Sequence, residues 1–265
     1  MGDIVAHGDG LVTSERRDGI NIITLNRPES RNTINHALRV AMVEAFSAAN
    51  ADRDSRAVVV TGAEGHFSGG GDLKGMTDRD IRSVHERMNM AAQVTRLIRR
   101  SPKPYIAAIE GSAFGAGLSI PLACDQIVAS QSAKFCSVFV RAGLVPDYGM
   151  MHTLPRRVGD GIARRMMMTA CVVSAEEALQ AGLIDQLVPV TEALETALQT
   201  AAEFSAHAPL AVHLIKAAMA DGRSDRLDSC LDAEADLQGQ LFQTDDFTEA
   251  LNAFGEKRTP LFRGT

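Results

Sequence analysis

Apolar and polar positions divide the chain into recurring units of extended runs and helical stripes. The run INIITLN (20–26) is β-branched and stops at Arg27-Pro28, where proline cannot donate to a ladder, so it predicts a strand. Asn32 or Thr33 then caps a helix through HALRVAMVEAFSAANAD (36–52), whose apolar residues fall on one face. RAVVVTG (56–62) is a short apolar run closed by glycine, the pattern of a buried strand. A Gly-rich turn follows, and then an amphipathic helix from about Asp78 to Arg100. YIAAIEG (105–111) and QIVAS (126–130) predict two further buried strands, with GLSIPLACD (117–125) starting as a helix between them. The recurrence predicts an α/β core in which loops at strand ends face one cleft.

From about Ser174 the pattern turns helical. SAEE (174–177) is a capping box, with Ser174 and Glu177 three residues apart. AGLIDQLVP (181–189) reads as a short extended piece ending at Pro189. Beyond about residue 190 come three or four amphipathic helices, including PLAVHLIKAAMA (209–220) and the acidic RLDSCLDAEADLQGQLF (226–242). Helices with no sheet of their own to cover pack on a neighbour, so this tail is expected to build an oligomer interface; a helical cap on its own core is the alternative. MMM (166–168) reads as core filler.

Composition narrows the partners. The chain has 265 residues, 45% hydrophobic and 23% charged, enough for a substantial core in a soluble protein. A formal net charge of −6 gives no nucleic-acid footprint. No apolar run approaches the ~18 residues of a membrane span, and the opening residues lack a signal-peptide pattern. The four cysteines are far apart without a C-x-x-C pair, the usage of reduced thiols in a cytoplasmic protein.

Chemistry concentrates in two glycine turns, HFSGGGDLKGM (66–76) and GSAFGAGLSIPLACD (111–125), each following a predicted buried strand. Glycine lets a backbone N–H approach a ligand atom, and amides at a helix start carry partial positive charge. Two such amides converging on one point make an oxyanion hole. Neither turn fits G-x-G-x-x-G or a P-loop, neither Ser68 nor Ser119 stands in a G-x-S-x-G elbow, and no cluster has zinc-ligand spacing. A third segment, GLVPDYG (143–149), sets Asp147 on a turn between proline and glycine in an apolar stretch. On local pattern it is either a turn former or a carboxylate held for chemistry.

Seven pieces in order carry a resemblance to a known family: LNRPESRNTI (25–34), FSGGGDLKGM (67–76), GSAFGAGLSIPLACD, AKFCSVFVRAGLVPDYG (133–149), LPRRVG (154–159), SAEEALQAGLIDQLVP (174–189) and EKRTPLF (256–262). Together the chain resembles the enoyl-CoA hydratase/isomerase (crotonase) superfamily over nearly its whole length. The resemblance implies a right-handed spiral of ββα units, residues 1–190, holding an acyl-CoA site, then a helical oligomerisation region, 191–265, that builds a homotrimer or hexamer. It implies an acyl-CoA substrate and no separate cofactor, coenzyme A arriving as part of the substrate.

Carried over by position, the resemblance sets the thioester oxygen between the amides of Gly71 and Ala116, with Gly71, Asp72, Leu73 and Lys74 along the CoA arm and Arg27 and Lys74 near its phosphates or adenine. Ala116 replaces a glycine common in the family, a change a backbone donor tolerates. The two glutamates of a family hydratase would fall at Ser119 and Phe139. A hydroxyl and a phenyl ring cannot grip the water that syn hydration needs. Asp147 falls where isomerase-like and some dehalogenase-like members carry an acid. The expectation is therefore an isomerase acting on an enoyl-CoA or a ring-epoxide acyl-CoA, with Asp147 as proton shuttle. Tyr148 is a spare proton carrier nearby and His152 a structural or surface histidine. The alternatives are a hydratase-like enzyme, a dehalogenase-like one with Asp147 as nucleophile, and a non-catalytic acyl-CoA binder.

Overall fold

The computed structural model describes residues 4–75, 80–220 and 227–265. Among these, seven strands form one sheet: β1 (Val5–His7), β2 (Val12–Arg17), β3 (Ile20–Leu25), β4 (Ala57–Gly62), β5 (Tyr105–Ile109), β7 (Gln126–Ser130) and β10 (Gln186–Val188), in that spatial order. The first three strands pair antiparallel, and from β3 to β10 the pairing is parallel. A second sheet takes β6 (Ser112–Phe114), β8 (Lys134–Cys136) and β9 (Val172–Ser174).

Alternation along the parallel strands sorts their side chains onto two buried faces. Ile23, Val58, Val60, Ala107 and Ile127 join one core with α1 (His36–Ala51) and α2 (Ile81–Arg99). Ile22, Val59, Ile106 and Val128 face the other way, onto Ala193, Ala197, Leu198 and Ala201 of α6 (Ala193–Ser205). The first helix of the tail therefore has a sheet to cover, contrary to the expectation that all of these helices lack one. The remaining described helices are α3 (Ala116–Ser119), α4 (Met150–Thr169, kinked at Gly159), α5 (Ala175–Gln180), α7 (Pro209–Ala220), α8 (Leu227–Leu241) and α9 (Asp245–Glu256).

Two local expectations need correction. The cap of α1 is Asn35, whose side chain accepts from the Leu38 amide at 2.8 Å, and neither Asn32 nor Thr33. Asn32 is spent on the loop instead: its Oδ1 accepts from the Arg27 amide and its Nδ2 donates to Ala63 and His66 carbonyls. Of the three methionines only Met166 is fully buried, whereas Met168 is 74% exposed. The expected start of α2 at Asp78 lies outside the described residues, and Asp80 caps the observed helix. The capping box of α5 is present, Ser174 and Glu177 bonding each other's backbone. Cys124 and Cys136 are buried thiols, with Cys171 and Cys230 partly so.

Candidate active site

The two glycine turns are laced together by backbone. Ser68 donates its amide to Ser112 and accepts from the Phe114 amide, at 2.9 and 3.0 Å. The contact is too close for side chains: a Cβ at Gly117 would stand 2.6 Å from the Ser68 carbonyl oxygen, and one at Gly70 2.6 Å from that of Phe114. Gly70 also takes φ 96°, a conformation glycine adopts without strain. The Gly115 and Gly70 backbones meet, so the next residues, Gly71 and Ala116, lie on adjoining segments. Ile34 pairs with Gly71 through the Gly70 carbonyl and the Asp72 amide, which leaves the Gly71 N–H out of that pairing. Ala116 opens α3, where first-turn amides have no helical acceptor. Neither amide has an acceptor among the described residues.

The residues after Gly71 divide. Asp72 forms an ion pair with Arg27 at 2.7 Å, and this hydrogen bond holds its carboxyl below the usual range. Arg27 also bonds Thr33 through its carbonyl and hydroxyl. The two residues expected near coenzyme A are thus joined to each other. Leu73 and Lys74 are exposed on the next turn. Ser119 is fully buried and donates to the Gly115 carbonyl at 3.3 Å, while the Phe139 ring packs against Gly115.

Asp147 sits just before α4, its carbonyl accepting from Met150. Its Oδ1 is sealed from solvent and has no hydrogen-bond partner among the described residues. Burial pushes the carboxyl up to about 6, against the opposing pull of the Arg39 and Arg87 charges. The turn is pinned from two sides: Arg39 Nε on α1 donates to the Tyr148 hydroxyl at 2.9 Å, and Thr95 on α2 donates to the Tyr148 carbonyl at 2.9 Å. Burial raises the Tyr148 phenol to about 12, so it stays neutral. His152 is exposed on α4 against Arg156.

A cavity of about 260 Å³ opens between α1, α2 and the turn after Gly71, lined by Ile34, Asp72, Arg39, Arg87 and Met90 among others. Sequence reasoning missed both arginines. Arg39 had a signal, standing three residues before Met42 and seven before Phe46, so on the buried face of α1. Arg87 lies on a helix rich in exposed charge and had none.

Two interlocked glycine turns, each with an amide that lacks an acceptor among the described residues, and a buried carboxylate on a third turn fit the class of enzymes that act on acyl-CoA thioesters. A family profile described as Enoyl-CoA hydratase/isomerase matches residues 15–265. The chain belongs to this family. It is 34% identical to the 2,3-dehydroadipyl-CoA hydratase of Escherichia coli K12 over 249 residues, 94% of this chain and 97% of that one. It is also 34% identical to the 1,2-epoxyphenylacetyl-CoA isomerase of the same strain, with 96% and 98% covered. The crystal structure of an enoyl-CoA hydratase from Bacillus anthracis superposes with a TM-score of 0.91 at 31% identity, covering 96% of this chain and 99% of the other. The fold is accordingly the α/β crotonase fold, and among the described residues no helix is long and apolar enough to cross a membrane.

Proposed function

We propose that the protein isomerises an enoyl-CoA, or rearranges a ring-epoxide acyl-CoA, with Asp147 moving the proton. The carrying observation is the buried carboxyl of Asp147, unpartnered at Oδ1 among the described residues and raised to about 6, in a chain whose expected hydratase positions hold Ser119 and Phe139. The thioester carbonyl sits between the Gly71 and Ala116 amides, which stabilise negative charge as a carbon-bound proton leaves. One carboxylate near neutrality suffices, because the proton taken from one carbon returns to another. Asp72, Leu73 and Lys74 border the CoA arm, and Arg27 acts there by holding Asp72. Coenzyme A belongs to the substrate and no separate cofactor takes part. Exposed Phe254, Leu251 and Ile215 on the last helices support a homotrimer or hexamer.

Hydration is the second reading, favoured by the hydratase among the relatives. The test compares hydration of crotonyl-CoA with double-bond migration in a 3-enoyl-CoA, for wild type and Asp147→Asn, with solvent deuterium exchange at the acyl carbons. Isomerase turnover and exchange that both vanish in Asp147→Asn support the proposal. Fast crotonyl-CoA hydration untouched by Asp147→Asn overturns it.

A further inference from the structure

The cavity between α1 and α2 is lined by two arginines, Arg39 and Arg87. Arg39 is only 4% exposed, and its one hydrogen bond among the described residues, from Nε, goes to the neutral Tyr148 hydroxyl. Arg87 faces the same cavity from α2, and its Nε is sealed from solvent without an acceptor. The acids on the cavity wall have other partners: Asp72 pairs with Arg27 at 2.7 Å, and Glu86 with the exposed Arg82 at 3.2 Å. Asp147 feels both arginines, yet neither donates to its buried Oδ1. Two guanidiniums therefore line one space, and neither forms an ion pair with a described residue. Burying a guanidinium without an anion is unfavourable, and a planar fork of donors matches a carboxylate.

The position of this space gives the anion its place. Asp72, the residue after Gly71, and Arg39, whose Nε donates to the residue after Asp147, both line the cavity. For an acyl chain whose carbonyl is seated at the Gly71 and Ala116 amides, the cavity wall begins one residue on, at Asp72. We infer that the acyl group accepted here ends, at the end away from the thioester, in a carboxylate bound by Arg39 and Arg87. Ser83 and Asn35 on the same wall offer further hydrogen bonds to it. A cavity of about 260 Å³, at the small end for ligand pockets, suits a short acyl chain. The substrate class is then a short dicarboxylic acid esterified at one end to coenzyme A.

This inference rests on the thioester site proposed above but not on the isomerase chemistry, so it is tested by binding of esters that cannot react. Isothermal titration compares a saturated C6 acyl-CoA ending in a carboxylate with hexanoyl-CoA, for wild type, Arg39→Met and Arg87→Met, each checked for fold by circular dichroism. The wild type is expected to bind the carboxylate-ended ester at least about tenfold tighter, the worth of one charge-assisted contact. That ratio shrinks toward one in at least one folded variant. A guanidinium with only a structural role changes both affinities alike and leaves the ratio intact. Equal wild-type affinities, or a ratio kept in every folded variant, overturn the inference. Binding of neither ester overturns the thioester site itself. Failure of the isomerase reading is seen separately, in turnover by Asp147→Asn.

Discussion

The Nε of Arg39 donates a 2.9 Å hydrogen bond to the Tyr148 hydroxyl, tying α1 to the residue after Asp147 across 109 positions of chain. Tyr148 takes φ 51°, a left-handed conformation, so the turn is held where a free chain would rarely stay. Tyr148→Phe deprives a buried guanidinium of its acceptor. The expected loss is about 1–3 kcal/mol in urea unfolding. A drop in kcat/KM of roughly tenfold or more accompanies it as the carboxylate loses its position. Unchanged stability and unchanged turnover would show that the bond holds nothing in place.

The acid of Asp147 sets a pH profile. Acting as base it must be ionised, so kcat/KM is expected to rise with pH through about 6 and level off above. Asp147→Asn lowers the rate by several orders of magnitude and flattens the profile, while CoA-ester affinity changes little. A limb centred near 4 would mean that burial does not govern this carboxyl.

Stability carries the same group with the opposite benefit. The folded protein holds this proton up to about 6, whereas the usual carboxyl releases it near 3.8, so stability falls as pH rises through that window. Above it the ionised, desolvated group is a standing cost. Asp147→Asn should therefore stabilise the fold at pH 8, on the order of 1–2 kcal/mol, and by less at pH 4. Thermal unfolding at both values reads the difference, and destabilisation at pH 8 would contradict it.

Gly71→Pro removes one amide of the proposed carbonyl seat without breaking the pairing to Ile34, because that pairing uses Gly70 and Asp72. Turnover should fall by about 10²–10³ with the fold retained. Gly117→Ala acts differently, driving a methyl to within 2.6 Å of the Ser68 carbonyl and parting the two turns. It should cost both stability and turnover. Near wild-type rates in Gly71→Pro would move the carbonyl seat elsewhere.

Assembly is read by light scattering. Phe254 is 87% exposed and Leu251 58% on the last helix, apolar surface that a partner copy would cover in the proposed assembly. The expected mass is three or six times the 28.4 kDa of one chain, and Phe254→Glu lowers it. A single-chain mass at micromolar concentration would refute the assembly.

Much of the core was legible because parallel strands buried on both faces spell continuous apolar runs, as in VVV (58–60) and YIAAI (105–109). Asp147 stood out as a carboxylate in an apolar turn. What the pattern hid depends on contacts distant in sequence. Asn32 is as good a cap as Asn35, but its side chain is claimed by the Arg27 amide and by the Ala63 and His66 carbonyls, 31 and 34 residues on. The role of α6 was hidden likewise: an alanine-rich stripe does not say which sheet it will cover. Arg27 and Asp72 each read as a ligand contact, and the pattern gave no sign of the ion pair that joins them across 45 residues.

Because the adjoining turns are joined through the main chain of Ser68, Gly70, Ser112 and Phe114, the geometry at Gly71 and Ala116 belongs to the threading of the chain rather than to any reactive side group. Side chains around it are then free to be exchanged as a set. A designer could replace Ser119, Phe139 and Asp147 with other acids or bases and expect the two amides to stay in register. Under the proposed mechanism the scaffold would separate where charge is received from how protons are delivered, and new reactions on it become problems of side-chain choice.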